Sequence, residues 1–266
     1  MALVYLGALL CWGCATSPAP TPSNATEESR ELPGDIPSLH KVLDEELEST
    51  LPTKPALDRA QRAAKKIKAL EPEPGMESLW RLAKLAFHQA NASNQKDEQL
   101  RFAQQGAQEA AKVIKLDPSR VEGHYFSALN TALIAEANAD QSLVPQMMSA
   151  GKKAAEIEAS YDQSGPLRFL GKVYITAPGW PTSVGSTEKG VETLEKAVAL
   201  APSFLNRLFL AEAYYHDEQP EKASELLQKL KADPEGQNEP RRWQEELEKY
   251  LRLLSTDMED SDDLGL

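Results

Sequence analysis

Residues 165–234 read GPLRFLGKVYITAPGWPTSVGSTEKGVETLEKAVALAPSFLNRLFLAEAYYHDEQPEKASELLQKLKADP. At a helical period this stretch holds four amphipathic segments in two pairs, and the pairs repeat one another. Gly171/Tyr174 and Ala211/Tyr214 take the same small-x-x-Tyr step forty residues apart. The first pair carries an insert, APGWPTSVG at 177–185, that a plain helix–turn–helix lacks. A hairpin apolar on one stripe cannot bury that stripe alone, so such pairs must stack on neighbours of their own kind.

Weaker copies of the unit extend in both directions. A small residue, two apolar residues and a Pro fall at offsets 0, 4, 7 and 12 in Ala60, Ala64, Ile67, Pro72; in Gly106, Ala110, Val113, Pro118; and in Gly190, Leu194, Ala197, Pro202. Ala223, Leu227 and Leu230 satisfy the first three offsets, with Pro234 one place early. Offsets of 4 and 7 share one helical face, and the Pro ends the helix before it. First helices precede them: Met76–Ala92 with Trp80, Ala83 and Phe87; Val121–Asn138 with Tyr125, Ala128 and Leu129; Gly165–Ala177 with Leu170, Gly171 and Tyr174; Phe204–His216 with Leu208, Ala211 and Tyr214. Ser38–Glu48 begins the first hairpin, residues 151–163 form a degraded second helix with no terminal Pro, and Glu239–Leu254 caps the array. The pattern resembles a tetratricopeptide repeat. Its spacing is irregular, 46 residues from Pro72 to Pro118 and 32 from Pro202 to Pro234, against about 34 in a regular array. The expectation is an all-α, tetratricopeptide-like helical-hairpin superhelix of about five hairpins plus a C-terminal capping helix.

Composition narrows the function. The formal charge is −12, residues 256–266 supply five carboxylates and no base, and no Lys/Arg stripe interleaved with aromatics offsets this. Such a surface repels phosphates, so nucleic acid is excluded as a partner. Both cysteines, Cys11 and Cys14, lie in the leader, so the body has no thiolate nucleophile, disulfide or Cys-based metal site. The four histidines, His40, His88, His124 and His216, are too scattered to share a helical face, and no metal or cofactor is expected. Gly165-x₅-Gly171-Lys172 is one residue too long for a phosphate loop and lies in a helical pattern. No Gly-x-Ser-x-Gly or His-Glu-x-x-His occurs, and the chain reads as a non-enzyme.

The leader, residues 1–14, is apolar from Ala2 to Leu10 and ends in Cys11-Trp12-Gly13-Cys14. It is too short for a permanent membrane span and resembles a bacterial lipoprotein signal ending at a lipidated Cys14. An ordinary cleaved signal peptide is the other reading. Residues 15–35, rich in Pro, Ser and Thr near their start, read as a flexible tether; 36–255 as the repeat domain; 256–266 as an acidic disordered tail. With an acyl anchor the chain would face the periplasm, on the outer membrane, touching lipid through the anchor only.

The insert and its flanks carry a more specific likeness. Gly165-Pro166, Arg168, Leu170-Gly171, Pro178-Gly179-Trp180-Pro181, Gly185, Glu195-Lys196-Ala197 and Ala201-Pro202 together resemble the T-component (TatT) family of TRAP transporters, over about seventy residues. The resemblance implies a periplasmic accessory lipoprotein of an ion-gradient-driven uptake system. It further implies docking with a periplasmic solute-binding protein, a small apolar or carboxylate ligand, and in some members a homo-oligomer. From the residues themselves, Pro178 stops a helix, Gly179 permits a left-handed turn, Pro181 stiffens the loop and Ser186 is an N-cap. Trp180 either lids the hairpin end or lines a ligand or partner surface. Arg168 either pairs with a nearby carboxylate or meets a ligand carboxylate, and Asn206 and Arg207, one repeat on, carry the same two readings. Tyr125, Tyr174 and Tyr214 sit at repeat positions, core or contact; the first two join the candidate site. The alternative function is a tetratricopeptide-type adaptor lipoprotein binding a peptide or protein in envelope assembly.

Overall fold

A computed structural model describes residues 31–263 apart from Trp180, Pro181, Glu235, Gln237 and Asn238, with side chains described as far as Thr256. Cys14, the signal-type leader, most of the expected tether and Trp180 lie outside the described residues. The described part is built of helices alone: α1 Ile36–Glu46, α2 Lys54–Leu70, α3 Met76–Ala92, α4 Lys96–Leu116, α5 Val121–Asn138, α6 Val144–Glu158, α7 Tyr161–Thr176, α8 Thr187–Leu200, α9 Phe204–His216, α10 Pro220–Ala232 and α11 Arg241–Asp263. These make five consecutive pairs and a last single helix, as the repeat pattern predicts.

Local chemistry accounts for the ends. Asp35, Thr53, Ser186 and Ser203 stand at N-caps and accept hydrogen bonds from the backbone N–H three residues on, satisfying donors the helix cannot. Helices α2, α4 and α8 end at Leu70, Leu116 and Leu200, each two residues before the Pro of its repeat.

The chain divides into two compact units, the first ending at Lys153 and the second beginning at Ala154. The division falls in α6, the helix whose sequence lacks the small–apolar–apolar–Pro signature. Within the first unit, α1 packs on α2 and α3, α3 on α4, and α4 on α5. Leu39, Leu43, Ala60, Ala63, Ile67, Leu82 and Leu85 form one core cluster there. Gly106 of α4 lies against the side chain of Asn130 on α5, where any Cβ would collide with its amide. Asn130 donates to the Phe126 carbonyl at 2.8 Å and reaches the Ala83 carbonyl on α3 at 3.4 Å. Within the second unit, α7 packs on α8 and α9, α9 on α8, α10 and α11, and α10 on α11. α9 buries nine side chains around most of its circumference, the pattern of a helix covered on several sides.

Three boundaries differ from expectation. α6 runs Val144–Glu158 and not 151–163; Pro145 sits in its first turn, where no N–H is needed. α7 starts at Tyr161, four residues before the expected Gly165, because a turn at 162–164 described below precedes the regular helix, which itself begins at Gly165 as expected. α11 continues to Asp263, into the segment expected as a tail, and Ser255 and Thr256 bond back to the Arg252 carbonyl on the way.

Candidate functional site

Four of the six ligand-candidate residues fall in the second unit and are described: Arg168 and Tyr174 on α7, Asn206 and Arg207 on α9. Two of them meet. The guanidinium of Arg168 donates through Nη1 to Asn206 Oδ1 at 3.1 Å and to the Gln163 carbonyl at 3.1 Å. Through Nη2 it reaches the Asp162 carbonyl at 3.3 Å and Asp162 Oδ2 at 3.1 Å. Asn206, wholly buried, donates to the Gln163 and Ala201 carbonyls, both at 2.8 Å.

What they hold is unusual backbone. Asp162, Gln163 and Ser164 have φ of 51°, 52° and 60°, one left-handed turn made of three non-glycine residues. For L-residues that conformation costs about 1–2 kcal/mol each, and it persists only where its surroundings over-determine it. Arg168 and Asn206 are those surroundings: they collect the carbonyls that the turn points inward. Pro166 follows in the first turn of the regular helix, where its missing N–H costs nothing. Ser164 is fully buried and its hydroxyl has no hydrogen-bond partner.

Arg207 turns the other way and pairs with Asp233 at 2.7 Å, its Nε buried without a partner. Tyr174 is half-buried, and its carbonyl accepts from Ser186 N–H at 2.8 Å, tying the insert to α7. Tyr125 belongs to the first unit, 3 % exposed, with its ring 5.3 Å from that of Phe126. The insert closes on itself: Gly185 N–H donates to the Pro178 carbonyl at 2.9 Å, and Gly179 bridges to Gly185. Here the expected role of Gly179 is corrected. It does not take a left-handed φ, and the glycine the loop requires is Gly185, where a Cβ would collide with the Ala177 carbonyl oxygen.

One buried network escaped the sequence reading. Lys172, one turn beyond Arg168, donates to both carboxylate oxygens of Glu212 on α9, at 2.7 and 2.6 Å. Both residues are under a tenth exposed, and the ammonium lies 4.5 Å from the centre of the Phe209 ring. Tyr250 of α11 also bonds to Glu212, and its hydroxyl stands 3.5 Å from His216 Nε2. The rings of Tyr215, His216 and Tyr250 meet edge to face at 5.4–6.2 Å. Burial acts to raise the Glu212 pKa, but the Lys172 charge and the bonds from Lys172 and Tyr250 outweigh it and hold it below the usual range. Burial lowers His216, and burial beside the Glu212 charge raises Tyr250. The signal was present: Lys172 and Glu212 are forty residues apart, at equivalent places in two helices that are otherwise apolar there. His88 of the first unit is another omission. It is wholly enclosed, its Nδ1 has no partner, and burial pushes its pKa down to about 3.

Among the described residues no group of three or more His, Cys, Asp or Glu is placed to hold a metal, and no helix is long and apolar enough to cross a membrane. The polar side chains around the left-handed turn and the Lys172–Glu212 pair bind one another and the backbone, which fixes α7, α9 and α11 in register.

The family described as "RMD1-3: Regulator of microtubule dynamics protein 1-3" matches residues 45–148, all within the first unit. No curated protein matches the chain. Among solved structures, a thermophilic TPR protein of Thermus thermophilus, TTC0263, is similar at a TM-score of 0.56 and 18 % identity, over 72 % of this chain and 91 % of that one. Eleven helices in repeating pairs among the described residues, and that likeness of fold, make this an all-α protein of the tetratricopeptide-repeat type.

Proposed function

We propose that the chain is a tetratricopeptide-type adaptor that binds a segment of a protein partner and performs no covalent chemistry. The observation that carries this reading is the fate of Arg168 and Asn206. Both were candidates to meet a small carboxylate ligand, and both are buried and spent on the chain's own backbone. A buried guanidinium already sharing its donors among carbonyls, an amide and a carboxylate is a poor receptor for another anion. The repeat scaffold remains, with partly exposed side chains such as Tyr161, Leu167 and Tyr174 along α7. Scaffolds of this kind offer extended surfaces for other chains.

A second reading is favoured by the insert. Its two ends are tied together through Pro178, Gly179 and Gly185, as the base of a specialised loop would be. On this reading the protein is a T-component-like accessory lipoprotein, anchored through Cys14 in the bacterial envelope and docking with a periplasmic solute-binding protein, with Trp180 at the contact.

Native mass spectrometry of the protein purified gently from its own host separates the two. A co-purified polypeptide, reduced at least tenfold by Leu167→Ser and Tyr174→Ala while helicity is unchanged, supports the adaptor. A bound small apolar or carboxylate molecule, with no polypeptide and lost on Trp180→Ala, overturns it in favour of the second reading.

A further inference from the structure

The charge of this acidic chain is unevenly distributed. Residues 31–153 carry sixteen Lys and Arg against seventeen Asp and Glu, whereas residues 154–266 carry twelve against twenty-two. Within the first unit the base is gathered on α2, which holds six Lys and Arg and a single Asp. Two of those six are turned to the protein. Arg59 pairs with Glu46 at 2.9 Å, and Lys66 donates to the Leu32 carbonyl at 3.1 Å. Arg62, Lys65 and Lys68 follow at three-residue steps on the exposed side, and Arg62 and Lys65 make no ion pair among the described residues.

A second helix continues the patch. Glu109 of α4 stands 3.9 Å from Lys68 and 2.8 Å from Lys112, which links α2 to α4. Lys112 and Lys115 are exposed beside it, and Lys115 makes no ion pair among the described residues. The acids that border these bases are engaged within the protein. Glu71 accepts from Ser78 and from Gly75 N–H, Glu109 is shared between two lysines, and Asp117 accepts from Ser119. Exposed Asp58 and Glu73 lie toward the two ends of α2 and leave the stretch between them basic.

At the ends of the same two helices stand Leu70 and Leu116, 50 % and 61 % exposed. An exposed leucine two places before the repeat Pro is a habit of this fold, since Leu200 of α8 is 55 % exposed as well. What distinguishes α2 and α4 is the company: each has a lysine in its last turn, and α8 has no base there. Lysines surrounding projecting leucines are the pattern of a surface that lies at a lipid interface.

We propose that the exposed face of α2 and α4 docks on an anionic phospholipid surface, with Arg62, Lys65, Lys68, Lys112 and Lys115 against the headgroup phosphates and Leu70 and Leu116 at the edge of the acyl region. The inference is independent of the adaptor reading and of any acyl group at Cys14. Charge complementarity selects anionic over zwitterionic lipid. The leucines select a lipid surface over an acidic protein, because two separated side chains at helix ends need a soft apolar layer and not a shaped pocket.

The test is co-sedimentation of the full chain with vesicles of phosphatidylglycerol mixed with phosphatidylethanolamine, and with vesicles of phosphatidylcholine alone. The leader is common to every variant, so differences report on the patch. The expected result is preferential binding to the anionic vesicles that weakens as salt shortens the screening length. Arg62→Gln, Lys65→Gln and Lys115→Gln together lower it roughly 100-fold, at about fivefold per base. Leu70→Ser with Leu116→Ser lowers it about tenfold while its salt dependence remains. Lys229→Gln, an exposed base on α10, changes nothing. Equal binding to both vesicle types, or anionic binding untouched by the triple variant, overturns the proposal. So does a leucine variant that binds like the parent, since the contact would then be charge alone and an acidic protein would serve as well. Circular dichroism of each variant excludes loss of folding, since all six substituted side chains are exposed.

Discussion

Replacing Arg168 by Met keeps an unbranched apolar stem, shortens the side chain by the guanidinium end and removes every donor it presents. The Asp162 and Gln163 carbonyls and Asn206 Oδ1 then lose partners at 3.3, 3.1 and 3.1 Å. Bonds from a charged donor contribute about 1.5–3 kcal/mol each, but they are not additive when one group makes them all. The Asp162 carboxylate, 41 % exposed, returns to water and adds little. The turn also has a way out, because relaxing three left-handed residues recovers about 1–2 kcal/mol apiece. We therefore expect a loss of about 3 kcal/mol, seen as a fall of roughly 10 °C in the thermal midpoint by circular dichroism. Hydrogen exchange should rise first at residues 160–168 and at the start of α9. Ser164→Gly provides the opposite sign. It relieves a φ of 60° and removes a buried hydroxyl without a partner, and should stabilise by about 1 kcal/mol. An Arg168→Met protein within about 0.5 kcal/mol of the parent, or a Ser164→Gly protein less stable than it, refutes the account of a strained turn held by this side chain.

Two further expectations concern buried charge. Lys172→Met leaves Glu212 enclosed beside Tyr250 without its cation and should cost about 3–5 kcal/mol; adding Glu212→Leu should recover most of it, in a double-mutant cycle read by urea unfolding. His88, held down to about 3 against an unfolded value near 6.5, binds its proton more readily in the unfolded chain. Stability should therefore fall between about pH 6.5 and pH 3, by about 1.4 kcal/mol per unit, and His88→Leu should remove that slope from the unfolding of the first unit.

Much of this molecule can be read from its residues, and the places where reading stops have a common cause. The bounds of α3, α5 and α9 follow from periodicity, because that signal is local. Ser186 announces the start of α8 for the same reason. The turn at 162–164 does not announce itself. Asp-Gln-Ser has no glycine to permit a left-handed path, and the groups that enforce it include Asn206, 43 residues beyond Gln163. The need for glycine at 185 is not legible in the sequence because it is steric, created by the Ala177 carbonyl folding back over it, and not a preference of its own φ. The likeness that drew attention to Arg168, and the repeat equivalence that added Asn206, marked residues that matter to the architecture. Their role as ligand contacts was the inference that burial weakens.

The Lys172–Glu212 pair has a consequence for how many times this unit can be written in the chain. The two residues stand one repeat apart, so the same position carries a cation in one copy and an anion in the next. Duplicating the step that bears Lys172 would seat an ammonium against an ammonium, and deleting the step that bears Glu212 would leave one buried alone. Repeat arrays whose copies are interchangeable lengthen and shorten freely; at this point the chain has given its copies opposite signs, and its copy number is locked.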